Sequence, residues 1–402
     1  MSLPVDTFTL SFLFFYLVSL VGAVLVGGAL RRGGFPVPKG PRYGNIDGLR
    51  GFLALSVLSH HFWIWTQVAL YGQPWSAADL PFVNQLGAGA VALFFMITGL
   101  VFYPTALKGI GHVFWPKIYI GRFFRIVPLV AVSFLLISLV IALRTGARPD
   151  ASYARAAIEW ISAHREVPIM GYADSGRVNA LVLWSLWQEW LFYLILLPAV
   201  ALGLQLARAV RLPSWTVPLL VLIVGAAAHL ARVGGNMPTF WPLFAAGMLA
   251  YELCARDAVR RWLASRTAAV LATLAMVPAV TLSHHALTPA FFAFAFFFCC
   301  VAAGNRFGGV FSLPGAAVVG EISFGIYLLH GIMLNLLFVD ATPIVRGLPP
   351  AALPLLIPVL AALIVLVTAA TYLLIERPAW RFGKRLGERL RPAAAPAPAT
   401  AP

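Results

Sequence analysis

The sequence predicts an all-α fold: a polytopic integral membrane helix bundle with about 10 or 11 transmembrane helices. Of the 402 residues, 61% are hydrophobic and 11% are charged, whereas an ordinary soluble domain has roughly 25% charged residues. Apolar runs of about 20 residues, enough to cross a hydrocarbon core as helix, recur along the chain. Runs such as 352–375 are apolar on every face, which excludes the alternating pattern of an outer-membrane barrel.

Eleven apolar windows define the predicted transmembrane helices. They cover residues 9–30, 51–70, 85–104, 126–143, 180–204, 214–231, 239–254, 267–283, 288–303, 316–338 and 353–375. The first window has no basic region before it and no clear small-residue cleavage site near its end. We therefore interpret it as a retained helix rather than a signal peptide.

The location of the basic residues decides what the net charge of +15 means. With the N-terminus outside, 22 of the 29 Lys and Arg residues fall in cytoplasmic segments and 7 in outer segments, which is the positive-inside bias of a membrane protein. We expect a multi-pass protein of the cell membrane (cytoplasmic or inner membrane), with a cytoplasmic C-terminus. Membrane lipid is an expected partner and nucleic acid is not.

The chain divides into three predicted parts. Residues 1–44 form an N-terminal transmembrane helix and a basic loop, residues 45–385 form a ten-helix membrane domain, and residues 386–402 form a Pro/Ala-rich tail that we expect to be disordered. The longest polar connection, about 144–178, is too short for a soluble catalytic domain, so any active site lies in or on the bundle. Residues 150–165 fit a short amphipathic helix on the outer face, either part of a lid or a plain surface helix.

Ionisable residues inside hydrocarbon are costly, at least about 2.5 kcal/mol at a helix centre, so each is a functional candidate. The deepest are His60, His61, Glu189 and His330, while Arg50, Glu252, Glu321 and Glu376 lie nearer the ends of their windows.

Arg50 and His61 share one face of the second predicted helix. They are eleven positions apart, which at about 100° per residue returns to nearly the same face and separates them by about 16 Å along the axis. A neutral imidazole at that depth is suited to take a proton from a hydroxyl near neutral pH. The alternative for His61 is a hydrogen bond between helices, and for the adjacent His60 we favour that structural role.

Six short blocks of the sequence contain polar or charged residues that lie in or next to the predicted transmembrane helices. They are residues 47–61 (Asp-Gly-Leu-Arg-Gly, then His61), 89–99, 122–128 (a paired-arginine block), 184–193 (Trp-Ser-Leu-Trp-Gln-Glu, then Phe-Tyr), 322–330 (ending in histidine) and 376–378 (Glu-Arg-Pro). Together they resemble the motifs of the acyltransferase-3 family of membrane O-acyltransferases over roughly residues 45–384. Two features depart from the family pattern: the extra helix before Asp47, and the lack of the C-terminal hydrolase-like domain that some members carry.

The resemblance implies transfer of an acyl group, commonly acetyl, from acyl-CoA as co-substrate to a hydroxyl of a carbohydrate, polysaccharide or lipid-linked acceptor of the cell envelope. It assigns catalytic roles to His61, as general base, and to Glu189, which would orient His61 or hold a sugar hydroxyl. No metal is expected. The remaining site residues fall into two groups: acyl-CoA-binding Arg50, Arg122 and Arg125, and, in the substrate cavity, Asp47, Trp184, Tyr327 and His330.

Several of these assignments have structural alternatives. Arg122 and Arg125 lie on one helix face, where guanidinium groups suit the phosphates of coenzyme A, but they also fit topological charge near the end of a span. Trp184 also fits an aromatic belt, and Tyr327 and His330 also fit polar contacts between helices. For residues 376–378 we favour a helix-ending role, with Pro378 closing the last span.

Two functions from other classes compete with acyl transfer. Histidine and glutamate inside a membrane also form proton relays, which would suit a proton-coupled transporter or exporter. A structural subunit of an envelope-assembly complex would need neither acyl-CoA nor His61 chemistry.

Overall fold

A computed structural model describes residues 7–37, 44–231, 238–285, 287 and 289–390. It is 81% helical, and no strand occurs in the part of the chain it describes. The predicted fold class, an all-α polytopic membrane bundle, is therefore confirmed.

Eighteen α-helices occur within the described ranges. The first nine are α1 Thr7–Arg32, α2 Gly44–Tyr71, α3 Pro81–Ala106, α4 Trp115–Thr145, α5 Tyr153–Ile161, α6 Ser175–Val178, α7 Leu183–Leu191, α8 Leu197–Ala209 and α9 Thr216–Leu230. The others are α10 Trp241–Cys254, α11 Asp257–Leu263, α12 Arg266–Leu282, α13 Ala290–Ala302, α14 Pro314–Glu321, α15 Ser323–Asn335, α16 Thr342–Gly347, α17 Leu356–Thr371 and α18 Arg377–Arg389.

Each of the eleven predicted windows overlaps at least one helix, but the helices differ in how well they suit a crossing. Among the described residues, six are long and apolar enough to cross a membrane, or seven if α11 and α12, bent by 62°, are one span. Helices α9, α10 and α13 have only 15, 14 and 13 residues, short of the about 20 that a crossing needs. Helix α2 is long, but polar residues including His60 and His61 lower its hydropathy.

Three of the long helices contain a π-helical turn. Such turns join α7 to α8 at Phe192–Leu196, extend α15 to Asp340, and join α17 to α18 at Tyr372–Glu376. The prediction that Pro378 ends the last span is wrong: the helix continues through it to Arg389. Since Pro378 directly follows the π-turn, at the first positions of α18, its missing N–H falls where the helical hydrogen-bond pattern already changes.

Helix α2 lies in the middle of the bundle and packs against α3, α14 and α15. Glycines allow the closest approaches: a Cβ on Gly320 would overlap the carbonyl of Asp47, and one on Gly51 would lie within 2.9 Å of the backbone of Gly320. Helix α1 packs along α14 and α17, so the first predicted part of the chain lies directly against the second. The boundary predicted at 385 falls inside α18, and residues 391–402 of the predicted tail lie outside the described residues.

The long connection after α4 carries the predicted amphipathic helix. Helix α5 buries Ala156 and Trp160 and exposes Ile158, and the Trp160 indole donates a hydrogen bond to the carbonyl of Val167 at 2.8 Å. A short amphipathic helix is therefore confirmed in this segment.

Candidate active site

Two cavities lie side by side in the bundle, and α2 contributes to both. One, the arginine cavity, encloses about 440 Å³ and is lined by Arg50, Glu189, Phe94, Ser185 and other residues. The other, the histidine cavity, encloses about 640 Å³ and is lined by residues that include His60, His61, Asn84, Trp184 and His284. Val91 and Tyr327 line both, so one shared wall separates the arginine of α2 from its histidines.

His61 is held by a second histidine that is distant in sequence. Its Nδ1 lies 2.9 Å from Nε2 of His330 and 3.1 Å from the carbonyl oxygen of Val57, and the two imidazole rings are stacked with centroids 5.0 Å apart. His330 is fully buried, and its Nδ1 lies 3.1 Å from the carbonyl oxygen of Ile326. His330 therefore contacts the His61 ring but, unlike His61, is not among the residues that line the histidine cavity.

These contacts select one tautomer for each neutral ring. A carbonyl oxygen only accepts, so His330 donates its Nδ1–H to Ile326 and its Nε2 carries the lone pair. That lone pair accepts the Nδ1–H of His61, which also faces the carbonyl of Val57. The remaining nitrogen of His61, Nε2, then has no proton and is a base.

His60 has a different environment although it is adjacent in sequence. Its Nδ1 donates to the carbonyl of Val83 at 2.8 Å, and its ring fills the space beside Gly87, where a Cβ would come within 2.6 Å of the imidazole. This hydrogen bond joins α2 to α3, which is the structural role favoured from the sequence.

Tyr327 forms the wall between the two cavities. Its hydroxyl lies 2.7 Å from the hydroxyl of Ser185 and 3.2 Å from the carbonyl oxygen of Val182, and its ring centroid is 6.1 Å from that of His330. These contacts hold the phenol ring where the cavities meet.

One interpretation of the sequence has Glu189 orienting His61, but the structure does not place the two side chains together. His61 bonds to His330, whereas Glu189 lines the arginine cavity beside Arg50 and receives a 3.4 Å hydrogen bond from Tyr193. The reason is position: Glu189 on α7 reaches the cavity on the other side of Tyr327.

The three predicted acyl-CoA-binding arginines have different surroundings. Arg50 lines the arginine cavity. Arg122 lies with its guanidinium over the rings of Phe102 and Tyr193, at 5.1 and 5.7 Å from their centroids. Arg125 forms an ion pair with the buried carboxylate of Glu376, N to O 3.0 Å, so part of its guanidinium is already occupied.

Asp47 and Trp184, both predicted for the substrate cavity, lie in different places. The Asp47 side chain is 50% exposed and lies 3.9 Å from Arg50 in an i,i+3 pair. It is therefore partly at the surface of the bundle and is not among the cavity-lining residues named above. Trp184 lines the histidine cavity and packs against Phe240, with ring centroids 5.2 Å apart.

The helix that carries Ser185 and Glu189 is capped by a carboxylate from the long connection. Oε1 of Glu166 accepts a hydrogen bond from the backbone N–H of Leu183 at 2.9 Å. Burial raises the pKa of the Glu166 carboxyl to about 7, against the opposing effect of this hydrogen bond.

Comparison with known proteins identifies the family. The family model described as an acyltransferase domain, the acyltransferase-3 type, matches residues 43–376. The chain belongs to this acyltransferase family. The resemblance of the six sequence blocks is thereby confirmed, and with the fold it makes the protein a multi-pass membrane acyltransferase. No curated protein and no solved structure matches it significantly.

The candidate site and its surroundings include residues that sequence reasoning missed. Asn84 bonds both backbone groups of Ala78 and lies 3.1 Å from Nδ1 of His284, and Glu376 pairs with Arg125 instead of ending a helix. The available signals were a polar Asn84 next to an apolar window and a histidine after another window. Among the described residues, no group of three or more His, Cys, Asp or Glu side chains is placed to hold a metal ion.

Proposed function

We propose that this membrane acyltransferase moves an acyl group, acetyl in the first instance, from acyl-CoA to a hydroxyl of a carbohydrate or lipid-linked acceptor. The single observation that carries the proposal is the contact of His61 Nδ1 with His330 Nε2, at 2.9 Å, beside a cavity that shares Tyr327 and Val91 with the arginine cavity. A thioester entering beside Arg50 and a hydroxyl entering beside His61 would meet at that shared wall.

The proposed reaction needs one base. Nε2 of His61 takes the proton of the acceptor hydroxyl as its oxygen attacks the thioester carbonyl. The new C–O bond forms and the C–S bond breaks, and the proton passes from His61 to the coenzyme A thiolate, so the products are an ester and the free thiol. The hydrogen bond to His330 holds the ring in the tautomer that can accept the proton.

The donor would enter from the basic end of the bundle, which we take to face the cytoplasm. Arg50 and Arg122 are the guanidinium groups best suited to its phosphates, because Arg50 lines the cavity and Arg122 lies over the rings of Phe102 and Tyr193 rather than in an ion pair with a buried carboxylate. Arg125 contributes less, since it pairs with Glu376. Acyl-CoA is thus a co-substrate in this proposal.

The test is transfer from radiolabelled acetyl-CoA by the purified protein in lipid nanodiscs. Acceptors are neutral oligosaccharides and glycans extracted from native membranes, and the product is base-labile label on carbohydrate. We expect His61→Ala to lower the rate by about 10² to 10⁴-fold, the usual contribution of general base catalysis. His229→Ala, at the end of α9, is the matched control and should leave the rate unchanged.

The transporter alternative gives a different result in the same nanodiscs and in vesicles. Accumulation of a substrate without ester formation would support it, as would the absence of acetyl-CoA binding. Acetyl-CoA affinity that falls at least tenfold in Arg50→Ala and in Arg122→Ala would support acyl transfer, since a transporter has no need of coenzyme A.

A further inference from the structure

A third cavity opens beyond the histidine cavity, at the end of α2 opposite Arg50. This cavity, here called the vestibule, encloses about 1060 Å³, partly open to solvent, and its lining includes Gln67, Gln73, Ser76 and Asp79. Ala77 lines both the vestibule and the histidine cavity. The two spaces are therefore neighbours across a single stretch of chain.

That stretch, residues 72–80 between α2 and α3, is fixed in place. The side chain of Asn84 bonds the N–H and the carbonyl of Ala78, at 2.9 and 2.6 Å. The indole of Trp75 stacks on the imidazole of His61, with centroids 6.2 Å apart, and meets Trp65 edge-on at 5.1 Å. The wall of the vestibule thus touches the proposed catalytic base, and Gln67 follows His61 by six residues, about 9 Å along the helix.

The polar side chains of the vestibule are not used by the fold. Within the described residues, the amides of Gln67 and Gln73 and the carboxylate of Asp79 make no hydrogen bond or ion pair. The Ser76 hydroxyl donates to the carbonyl of Pro74 at 3.3 Å and keeps its lone pairs. By contrast, the nearby Gln85 amide donates to the carbonyl of Ser283 at 2.7 Å. The vestibule therefore presents unpaired donors and acceptors to a ligand.

The chemistry of this lining indicates the ligand. Amides, a hydroxyl and a carboxylate pair well with ligand hydroxyl groups, which both donate and accept. No Lys, Arg or His occurs among the described residues that line the vestibule, so an anionic ligand would face Asp79 without a counter-charge. A lipid tail would leave the polar groups unpaired, at a cost.

We propose that the vestibule is an acceptor subsite for an uncharged glycan. One sugar unit of the acceptor lies in the histidine cavity, and neighbouring units lie across residues 72–80 against Gln67, Gln73 and Asp79. This rests on the proposed function and adds to it the acceptor class: a neutral oligo- or polysaccharide chain, preferred over a monosaccharide and over an acidic glycan.

The experiment measures transfer from radiolabelled acetyl-CoA to neutral hexose oligomers of one to six units, to matched uronic-acid oligomers and to glycans of native membranes. For the wild type we expect kcat/KM to rise at least tenfold from one unit to three or more. Gln67→Met with Gln73→Met should lose about tenfold on the longer chains, as expected for lost ligand hydrogen bonds, and nothing on the single unit or in acetyl-CoA affinity. Gln205→Met, at the other end of the bundle, is the matched control.

A second variant gives a gain of activity, which a misfolded protein would not produce. Asp79→Asn removes the carboxylate that would repel an acidic chain, so it should raise the rate on uronic-acid oligomers several-fold. Equal rates for all chain lengths, or a length dependence unchanged by the glutamine substitutions, would overturn the subsite. Absence of ester on every acceptor, including native glycans, would instead refute acyl transfer itself.

Discussion

The same residue type has two roles at adjacent positions of α2. His60 donates its Nδ1–H to a backbone carbonyl of α3, whereas His61 donates to the side chain of a histidine on α15. The second arrangement leaves Nε2 of His61 bare beside a cavity. The difference arises from the roughly 100° between consecutive side chains of a helix, which directs the two rings toward different neighbours.

His330 is predicted to act as a positioning residue for His61. In His330→Leu the Nδ1–H of His61 keeps only the backbone carbonyl of Val57 as acceptor and the ring is held less firmly, so we expect kcat to fall about 10- to 100-fold with little change in KM, comparable to loss of a partner that orients a catalytic or metal-binding histidine. His330→Gln keeps an acceptor oxygen near the position of Nε2 and should recover a large part of kcat. Steady-state kinetics of both variants checks this; equal rates for Leu and Gln would contradict it.

Arg125 is predicted to contribute to stability through Glu376. Arg125→Met leaves a buried carboxylate without its counter-charge, which typically costs about 3 kcal/mol or more, so we expect a clear drop in the thermal unfolding midpoint. In Arg125→Met with Glu376→Leu the unpaired charge is gone and most of the stability should return. Thermal unfolding in nanodiscs measures both variants.

The same pair decides whether Arg125 also binds the donor, as the sequence predicted. If it does, the double variant will be stable and yet bind acetyl-CoA at least tenfold more weakly. If the double variant binds acetyl-CoA like the wild type, Arg125 has a structural role only.

At the level of elements, glycines set the distance between α3 and α10. A Cβ on Gly99 would overlap the carbonyl of Phe244, and one on Gly247 would overlap the carbonyl of Met96. Because both obstacles are backbone atoms, Gly99→Ala should push the helices apart and destabilise the fold by about 1–3 kcal/mol, the usual range for overpacking. Gly22→Ala in α1, where nothing lies within 4 Å, is the control. Thermal unfolding should show a loss in the first variant only.

The sequence could predict the helices because a transmembrane segment has a local signal. Each apolar window overlaps at least one helix. The π-helical turns and the passage through Pro378 were not predictable in this way. A window average records hydropathy only. The shift in hydrogen bonding at Tyr372–Glu376 depends on how that helix packs against α4, and the burial of the Glu376 carboxylate depends on its ion pair with Arg125.

At the scale of the whole molecule, the site is assembled from segments far apart in the chain. His61 and His330 are 269 positions apart and Asn84 and His284 are 200 apart. Charge in an apolar window marked His61, His330 and Glu189 as candidates, but only helix packing decides which of them meet. That is why the sequence marked these residues as candidates but did not indicate that His61 contacts His330, while Glu189 lines the other cavity.

The long connection after α4 is joined to the bundle by Glu166, which makes the stability of the whole protein depend on pH. The pKa of the Glu166 carboxyl is about 7 in the folded protein because of burial, against about 4.3 in an unfolded chain. The folded state therefore holds this proton more tightly. The contribution of Glu166 to stability is greatest below about pH 4.3, is lost as pH rises to about 7, and stays lost above it.

Glu166→Gln keeps an acceptor oxygen for the N–H of Leu183 and removes the ionisation. We expect the variant to match the wild type near pH 5 and to become more stable by about 1 kcal/mol at pH 8, a value reduced for solvent screening of a half-buried group. Thermal unfolding midpoints at pH 5, 6, 7 and 8 measure the difference. Glu159→Gln is the control: a hydrogen bond from His164 lowers the pKa of that carboxyl, so its replacement should give no gain at pH 8. A difference between Glu166→Gln and the wild type that is the same at every pH would contradict this prediction. It would show that the Glu166 carboxyl does not titrate in this range and that its hydrogen bond with Leu183 does not depend on pH.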